Sequence, residues 1–303
     1  MRIVAALGGN ALLRRGEALS AANQRANVKA AARALAPLIL EGNQVIVSHG
    51  NGPQVGLLAL QAATGPKDLA YPLDILDAES EGMLGYLIEQ ELNNVLPDGR
   101  MIATLLTQIR VDPRDPAFLD PTKPIGPVYT KSEAKQVASE RGWTIACEGA
   151  GWRRVVPSPA PLEILEARVI EYLVQNDVTV VCAGGGGIPV VERDDGGLAG
   201  VEAVIDKDLA SAVLARTLRA DRLLLLTDVD AVYTEWATPS AKPIASACPS
   251  SIDPSEFAVG SMRPKLEAAI GFTNETGNKS HIGRLDQAVE ILAGRAGTCI
   301  SWA

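Results

Sequence analysis

Short continuous apolar runs, most of them stopped by glycine, alternate along the chain with longer segments whose apolar residues recur at helical spacing. The runs at 2–7, 45–48, 101–106 and 178–182 lack polar alternation, so they read as strands buried on both faces. Between the first two, Val28, Ala31, Ala32, Leu35, Leu38 and Ile39 mark a helix over 23–40 that Pro37 kinks and Gly42 ends. Val55, Leu57, Leu58 and Leu60 mark a second helix, and Met83, Leu84, Leu87, Ile88, Leu92 and Val95 a third over 77–96. Strand, glycine loop, helix, repeated, predicts βαβ units and a parallel sheet with its loops gathered at the carboxyl ends of the strands.

The pattern breaks at Asp112-Pro-Arg-Asp-Pro-Ala-Phe-Leu-Asp-Pro-Thr-Lys-Pro-Ile-Gly-Pro127, where proline density excludes regular structure. With a short helical piece at 132–140 and strand-like stretches at 143–146 and 152–156, residues 120–157 read as an inserted subdomain and a candidate lid. A helix over 161–175 returns to the main fold. The run 178–182 ends in Ala183-Gly-Gly-Gly-Gly187, and Asp194-Asp-Gly-Gly197 predicts a hairpin turn. Apolar residues 201–205 then deliver Asp206-Lys-Asp208 to a helix carried by Leu209, Val213 and Leu214. Residues 222–233 form a central strand with Thr227, Asp228 and Asp230 at its polar end, and 234–259 is loop-rich. Gly260-Ser-Met-Arg-Pro-Lys265 predicts a helix start with Ser261 as N-cap, and 281–303 reads strand, helix, strand.

Composition narrows the partners more than the fold. With 47% hydrophobic residues, 303 residues suffice for one large α/β domain or two lobes. A net charge of −8 leaves no basic field for nucleic acid or an anionic membrane, so any anion site is built from local groups. Cys147, Cys182, Cys248 and Cys299 are scattered without a C-x-x-C pair, and His49 and His281 are the only histidines. That suggests neither a zinc site nor a disulfide framework and makes a reducing cytoplasm the simplest compartment. The run at 3–7 is too short for a signal peptide and is broken by Gly8, Gly9 and Asn10. No run approaches the ~18–20 apolar residues of a membrane span.

The stretch Gly200-Val-Glu-Ala-Val-Ile-Asp-Lys-Asp-Leu-Ala-Ser211 carries the chemistry. An isolated Asp-Lys-Asp triplet is by default a cap with a solvated lysine. Here the unpaired N–H groups of a helix start, the macrodipole and Lys207 together make an anion site, with aspartates on both sides to hold the lysine. Glycine loops at Gly8-Gly9-Asn10, Gly50-Asn51-Gly52 and 184–187 each end a strand on the same rim of the sheet, where successive backbone N–H groups cradle anions. Asn10 and Asn51 add amide donors or simply tolerate a left-handed backbone. Lys265 sits in a first helical turn, as Lys207 does. Phosphoryl transfer needs alignment and charge neutralisation, which two lysines and backbone amides supply without a covalent intermediate. The chain has no G-x-x-x-x-G-K-[ST], no G-x-S-x-G elbow, and Pro189 breaks G-x-G-x-x-G after Gly184. His49 is a structural hydrogen-bonding residue rather than a base, because an oxyanion acceptor needs none. Lys123, between two prolines, is either a third cation closing over the site or an exposed loop lysine; Arg153 and Arg154 order the subdomain or solvate it.

Taken in order, Ala6-Leu-Gly-Gly-Asn-Ala11, Ser48-His-Gly-Asn-Gly-Pro-Gln-Val-Gly56, Pro121-Thr-Lys-Pro-Ile-Gly-Pro127, Gly151-Trp-Arg-Arg-Val-Val-Pro-Ser-Pro159, Cys182-Ala-Gly-Gly-Gly-Gly-Ile-Pro-Val190, the stretch 200–211, Leu226-Thr-Asp-Val-Asp-Ala-Val-Tyr233 and Gly260-Ser-Met-Arg-Pro-Lys265 resemble the carbamate kinase family of the amino acid kinase superfamily. The third and fourth pieces separate that family from acetylglutamate kinase and other relatives. The resemblance implies a three-layer αβα sandwich around a mainly parallel open sheet, with an acceptor-binding half over about 1–205, a nucleotide-binding half over about 206–303 and the subdomain 120–157 protruding over the active site. It implies a cytoplasmic homodimer exchanging a phosphoryl group reversibly between ATP, with Mg²⁺, and carbamate, giving carbamoyl phosphate and ADP, usually run toward ATP in arginine catabolism. By the same likeness Lys207 and Lys265 neutralise the moving group, Asp208 orients them, and Lys123 reaches in from the subdomain. Gly8, Gly9, Asn10, Gly50, Asn51 and Gly52 hold the acceptor and γ-phosphate; Gly185, Gly186, Thr227, Asp228, Val229, Asp230, Tyr233, Gly260, Ser261 and Met262 hold the nucleotide. Ala150 stands where some members carry arginine. Two rivals share the residues: another small-oxyanion kinase of the same fold, and a nucleotide-binding sensor without turnover.

Overall fold

In the computed structural model, which describes residues 1–14, 16–66, 69–149 and 151–302, the apolar runs assemble into one eight-stranded sheet. Its order is Ser246–Ala247, Thr298–Ile300, Lys279–Arg284, Arg222–Thr227, Arg2–Leu7, Gln44–His49, Thr179–Val181, Ile102–Thr104. Every neighbouring pair is parallel except Lys279–Arg284 with Thr298–Ile300. Along the central strands successive side chains enter opposite cores. Ile3, Ala5, Leu7, Leu224 and Leu226 pack with the helices Ala21–Leu40 and Leu73–Val95, whereas Val4, Ala6, Leu223 and Leu225 pack with Lys207–Thr217 and Met262–Thr276. Burial on both faces is why these strands read as unbroken apolar runs, each large side chain contributing about 1.5–3 kcal/mol. The result is the expected three-layer αβα sandwich.

Two smaller sheets flank it. Leu198–Gly200, Ile188–Glu192, Gln108–Arg110 and Glu163–Ile164 form one, and the turn between the first two is the expected hairpin. Lys123–Tyr129, Gly151–Val156 and Ile145–Glu148 form an antiparallel sheet of their own, with the helix Lys131–Arg141 closed by a Thr130–Glu133 capping box. Here the proline argument fails in part. Pro124 and Pro127 sit inside a regular strand because Lys123–Tyr129 lies at the sheet edge and its register shifts between Ile125 and Tyr129, so the missing N–H groups interrupt no inner ladder. Pro116–Phe118 forms a 3₁₀ turn.

Other boundaries move for local reasons. The helix expected from residue 161 starts at Ala167, because Glu163–Ile164 pairs with Gln108–Arg110 instead. The long strand 222–233 divides into Arg222–Thr227 and Val232–Thr234, the second forming a hairpin with Lys242–Ile244. Residues 201–205 are irregular, although Ala203, Val204 and Ile205 are fully buried. Among the described residues no helix is long and apolar enough to cross a membrane.

Candidate active site

The carboxyl ends of Arg2–Leu7, Gln44–His49 and Arg222–Thr227 meet at the centre of the sheet, on either side of the first strand. The loops there touch. A Cβ on Gly8 would lie 3.1 Å from Leu226 O, and one on Gly50 would lie 2.9 Å from Gly9 N. The helix Lys207–Thr217 starts beside them, tied to the second strand by Ser48 Oγ and Ser211 Oγ at 2.7 Å. Ser211 also donates to Lys207 O at 2.6 Å.

Asp206 is the N-cap, its Oδ1 accepting from Asp208 N at 2.9 Å and Leu209 N at 3.4 Å. The capping half of the simple reading therefore holds, and the solvated lysine does not: Lys207 is only 7% exposed. Its Nζ donates to Asp208 Oδ1 at 2.5 Å, and Lys265 Nζ donates to Oδ2 of the same carboxylate at 2.9 Å. Lys123, from the edge strand of the subdomain, donates to Asp206 Oδ2 at 2.5 Å. Three ammonium groups thus converge on two adjacent carboxylates at a helix start, leaving one net positive charge.

The titration of this cluster follows from its geometry. Burial would raise the Asp208 carboxyl, but Lys207 and Lys265 hold it well below the usual carboxylate range. Burial lowers Lys207 in spite of Asp208; at Lys265 burial acts the same way but Asp208 outweighs it and the value rises. Lys207 is lowered further by the Lys265 charge, whereas Asp206 and Asp228 add to the rise at Lys265. A carboxylate fixed between two cations holds them apart at a set spacing, as a site for a second, mobile anion requires.

The glycine loops divide into those that face this cluster and those that support it. Gly8 N donates to Leu226 O at 2.7 Å and Gly50 N to Leu7 O at 2.9 Å, so these two amides extend the sheet instead of cradling an anion. Gly9 and Gly52 begin the short helix Gly9–Leu12 and the helix Gly52–Ala62, where first-turn N–H groups lack intrahelical acceptors. The side chain of Asn10 and residue Ala150 lie outside the described residues. Asn51 was an expected amide donor, but its Nδ2 is engaged below the loop, donating to Ser80 Oγ at 2.7 Å and Asp77 Oδ1 at 3.1 Å.

Gly185 and Gly186 are not brought together with the other residues expected to hold a nucleotide. Both are buried and packed on Gln44–His49, Leu73–Val95 and Lys207–Thr217. A Cβ on Gly185 would overlap the Asn51 side chain, and one on Gly186 would lie 2.6 Å from Ile205 O. Their φ values of +71° and +100° fit the same demand for glycine. This loop supports Asn51 and the residue preceding Asp206.

On the opposite side, Thr227 adjoins Gly8, and its Oγ1 donates to Asp228 Oδ1 at 3.2 Å. Asp228 bears electrostatically on Lys265, in the first turn of Met262–Thr276. Tyr233 OH donates to Asp230 at 3.0 Å, and its ring meets Trp236 edge-on at 5.3 Å. Ser261 occupies the N-cap position of Met262–Thr276, but its side chain makes no capping bond.

Sequence reasoning passed over a buried acid layer beneath the glycine loops. Asp77 and Glu81 lie one turn apart on Leu73–Val95, each 1% exposed. Glu81 accepts from Gly184 N at 2.8 Å and Thr107 N at 3.1 Å, yet burial pushes its carboxyl up to about 8. Burial likewise raises Asp77, despite the bond from Asn51. Burial lowers His49 to about 4, so its ring is neutral at physiological pH and supports the loop rather than exchanging protons. The available signal was two acids at helical spacing among residues that otherwise face a core.

A family model for the amino acid kinase family matches residues 1–284. The chain is 53% identical over 301 residues to the carbamate kinase of Haemophilus influenzae, covering 99% of this chain and 97% of that protein. It is 50% identical over 299 residues to that of Escherichia coli K12, covering 99% of each. The structure of the carbamate kinase from Giardia lamblia bound to AMP-PNP superposes with a TM-score of 0.89 at 42% identity, over 99% of this chain and 98% of that one. Full-length identity at this level, on a fold whose charged cluster sits at the end of the central strands, settles the lineage: the chain belongs to the amino acid kinase family, and within it to the carbamate kinases.

Proposed function

We propose that the chain transfers a phosphoryl group reversibly between ATP and carbamate, with ADP and carbamoyl phosphate as the other pair. The observation that carries this reading is the Asp208 carboxylate shared by Lys207 and Lys265 at a capped helix start. In the direction of ATP synthesis a terminal oxygen of ADP attacks the phosphorus of carbamoyl phosphate, the bond to the carbamoyl oxygen breaks, and carbamate leaves with the electron pair. Both nucleophile and leaving group are oxyanions, so no proton moves and no base is required, which agrees with a neutral, buried His49. Lys207 and Lys265 stand where charge on the moving group is greatest, each worth about 4 kcal/mol at ~4 Å in a medium of effective dielectric ~20. The N–H groups of Gly9 and Gly52 face the acceptor end, while Thr227, Asp228, Asp230, Tyr233 and the turn at 260–262 receive the nucleotide. Among the described residues no three His, Cys, Asp or Glu side chains form a metal cage. Magnesium enters as part of the nucleotide substrate, on phosphate oxygens and water.

Cytoplasmic location, a homodimer and operation toward ATP in arginine catabolism belong to the same reading, supported by full-length likeness to carbamate kinases. Incubation of the purified protein with ADP, Mg²⁺ and carbamoyl phosphate tests it through coupled detection of ATP. ATP formation is the expected result. Turnover only with acetylglutamate or another carboxylate or phosphonate acceptor overturns carbamate as the substrate, and nucleotide binding without turnover overturns the enzyme itself.

A further inference from the structure

Asp206 does two jobs with its two oxygens. Oδ1 closes the start of Lys207–Thr217, and Oδ2 takes the Lys123 ammonium at 2.5 Å. Capping explains only the first, because a neutral asparagine or serine caps as well as an aspartate. The second oxygen, with its charge, faces across the chain to the subdomain, where Lys123 begins the edge strand Lys123–Tyr129. Both side chains are partly buried, at 23% and 13% exposure, so the pair is shielded more than a surface ion pair. Asp208 is already shared by the other two lysines, and Asp206 is the carboxylate that receives the third.

The same strand is held farther along by contacts that place its backbone but not its lysine. Helix Gly52–Ala62 crosses it so closely that a Cβ on Gly56 would fall within the Gly126 backbone, and Ile125 packs with Val55, Ala59 and Val204. Arg153 Nε donates to Gly126 O at 3.1 Å, and Val204 N donates to Pro157 O at 2.9 Å, just past the end of the paired strand Gly151–Val156. None of these named contacts involves the Lys123 ammonium, which is held by Asp206. A lysine approaching two other ammonium groups is repelled unless an anion draws it in.

We propose that Asp206 is the positioning residue that seats Lys123 of the subdomain as the third cation over the phosphoryl site. This role rests on the phosphotransferase reading above, and a double-mutant cycle separates the two. Asp206→Asn keeps the capping oxygen and removes the charge that holds Lys123; Lys123→Met removes the partner. In the ADP plus carbamoyl phosphate assay, Asp206→Asn is expected to lower kcat/KM for carbamoyl phosphate about 10-fold, the scale of one lost charged hydrogen bond. It leaves the thermal midpoint unchanged. In the Lys123→Met background the same substitution is expected to change kcat/KM less than ~2-fold, the limit of additivity error. Hydrogen exchange supplies a readout besides activity: Asp206→Asn speeds exchange in residues 123–129 without altering 207–217. An equal loss in both backgrounds, or no loss in the native one, overturns the assignment while leaving the phosphotransferase reading intact. A native enzyme inert toward carbamoyl phosphate overturns that reading and this role with it.

Discussion

Two lysines reach one carboxylate from helix starts that are built differently. Lys207 begins a helix whose N-cap closes on the backbone through Asp206 and whose next residue, Asp208, supplies the counter-charge. Lys265 lies one turn into Met262–Thr276, behind Gly260 at φ +73° and Ser261, which makes no capping bond; its carboxylate belongs to the other helix. Lys207 bonds to its own neighbour, whereas Lys265 bonds to a carboxylate 57 residues away. Lys207 is therefore preorganised by local sequence and Lys265 by tertiary assembly, so the spacing between them depends on Asp208.

Breaking that shared residue has the largest expected effect. Asp208→Asn leaves two buried ammonium groups facing each other without a charge between them, and kcat should fall ~10³-fold as both lose their place. Stability to urea should fall by roughly 3 kcal/mol, since an uncompensated buried charge remains. Lys265→Ala removes the guest alone. It should lower kcat ~10²-fold while urea stability stays within about 1 kcal/mol, because the Lys207–Asp208 pair survives. Unchanged turnover in Lys265→Ala would take that lysine out of the chemistry.

Next in size comes the contact that carries the subdomain. Gly56→Ala puts a methyl group into the Gly126 backbone, which has to move, and Lys123 moves with it. A displacement of ~1 Å at a charged group costs up to ~10²-fold, so kcat/KM for carbamoyl phosphate should drop 10-fold or more. Gly271→Ala is the control, since no atom beyond its chain neighbours and its own helix backbone lies within 4 Å of the added carbon. Activity equal to native in both variants would mean that the Gly56 crossing does not position the subdomain.

The fold and the charged cluster were legible for one reason: each is written in a local pattern. Apolar runs without alternation announced strands buried on both faces, and Asp206-Lys-Asp208 announced a helix start with a cation. What stayed hidden depends on partners distant in sequence. Asn51 carries the same amide whether it faces a substrate or Asp77 and Ser80, and only the packing of Leu73–Val95 decides. Gly185 and Gly186 look like a phosphate loop, but their lack of side chains admits Asn51 and Ile205. Pro124 and Pro127 argue against a strand until the strand proves to be an edge. Asp206 reads as a cap, and Lys123, 83 residues away, supplies the second role.

Below the rim, the acid layer gives a pH-dependent contrast that is read in stability and not in turnover. Glu81 is raised by burial from 4.5 to about 8, so its contribution is full below pH 4.5 and is lost as pH rises through about 8. His49 is lowered by burial from 6.5 to about 4, so its contribution is present above pH 6.5 and is lost as pH falls through about 4. The two slopes oppose. Glu81→Gln keeps one acceptor for the backbone N–H groups of Gly184 and Thr107 and cannot ionise. The urea stability of the native protein should therefore decline relative to the variant between pH 5 and pH 8, by roughly 4 kcal/mol for a shift of this size at ~1.4 kcal/mol per unit. Parallel curves would mean that Glu81 titrates at an ordinary value.

The smallest effect discriminates the two helix starts most directly. If local capping fixes one and long-range charge the other, deleting the side chain at each N-cap has unequal consequences. Asp206→Ala leaves Asp208 N and Leu209 N without their acceptor and should cost about 1 kcal/mol in urea, beyond any loss of turnover through Lys123. Ser261→Ala removes a hydroxyl that caps nothing and should change stability by no more than a few tenths of a kcal/mol. A loss of ~1 kcal/mol in Ser261→Ala would show that the hydroxyl closes the helix in solution. Lys265 would then stand on a start as locally determined as that of Lys207, and its dependence on Asp208 for position would disappear.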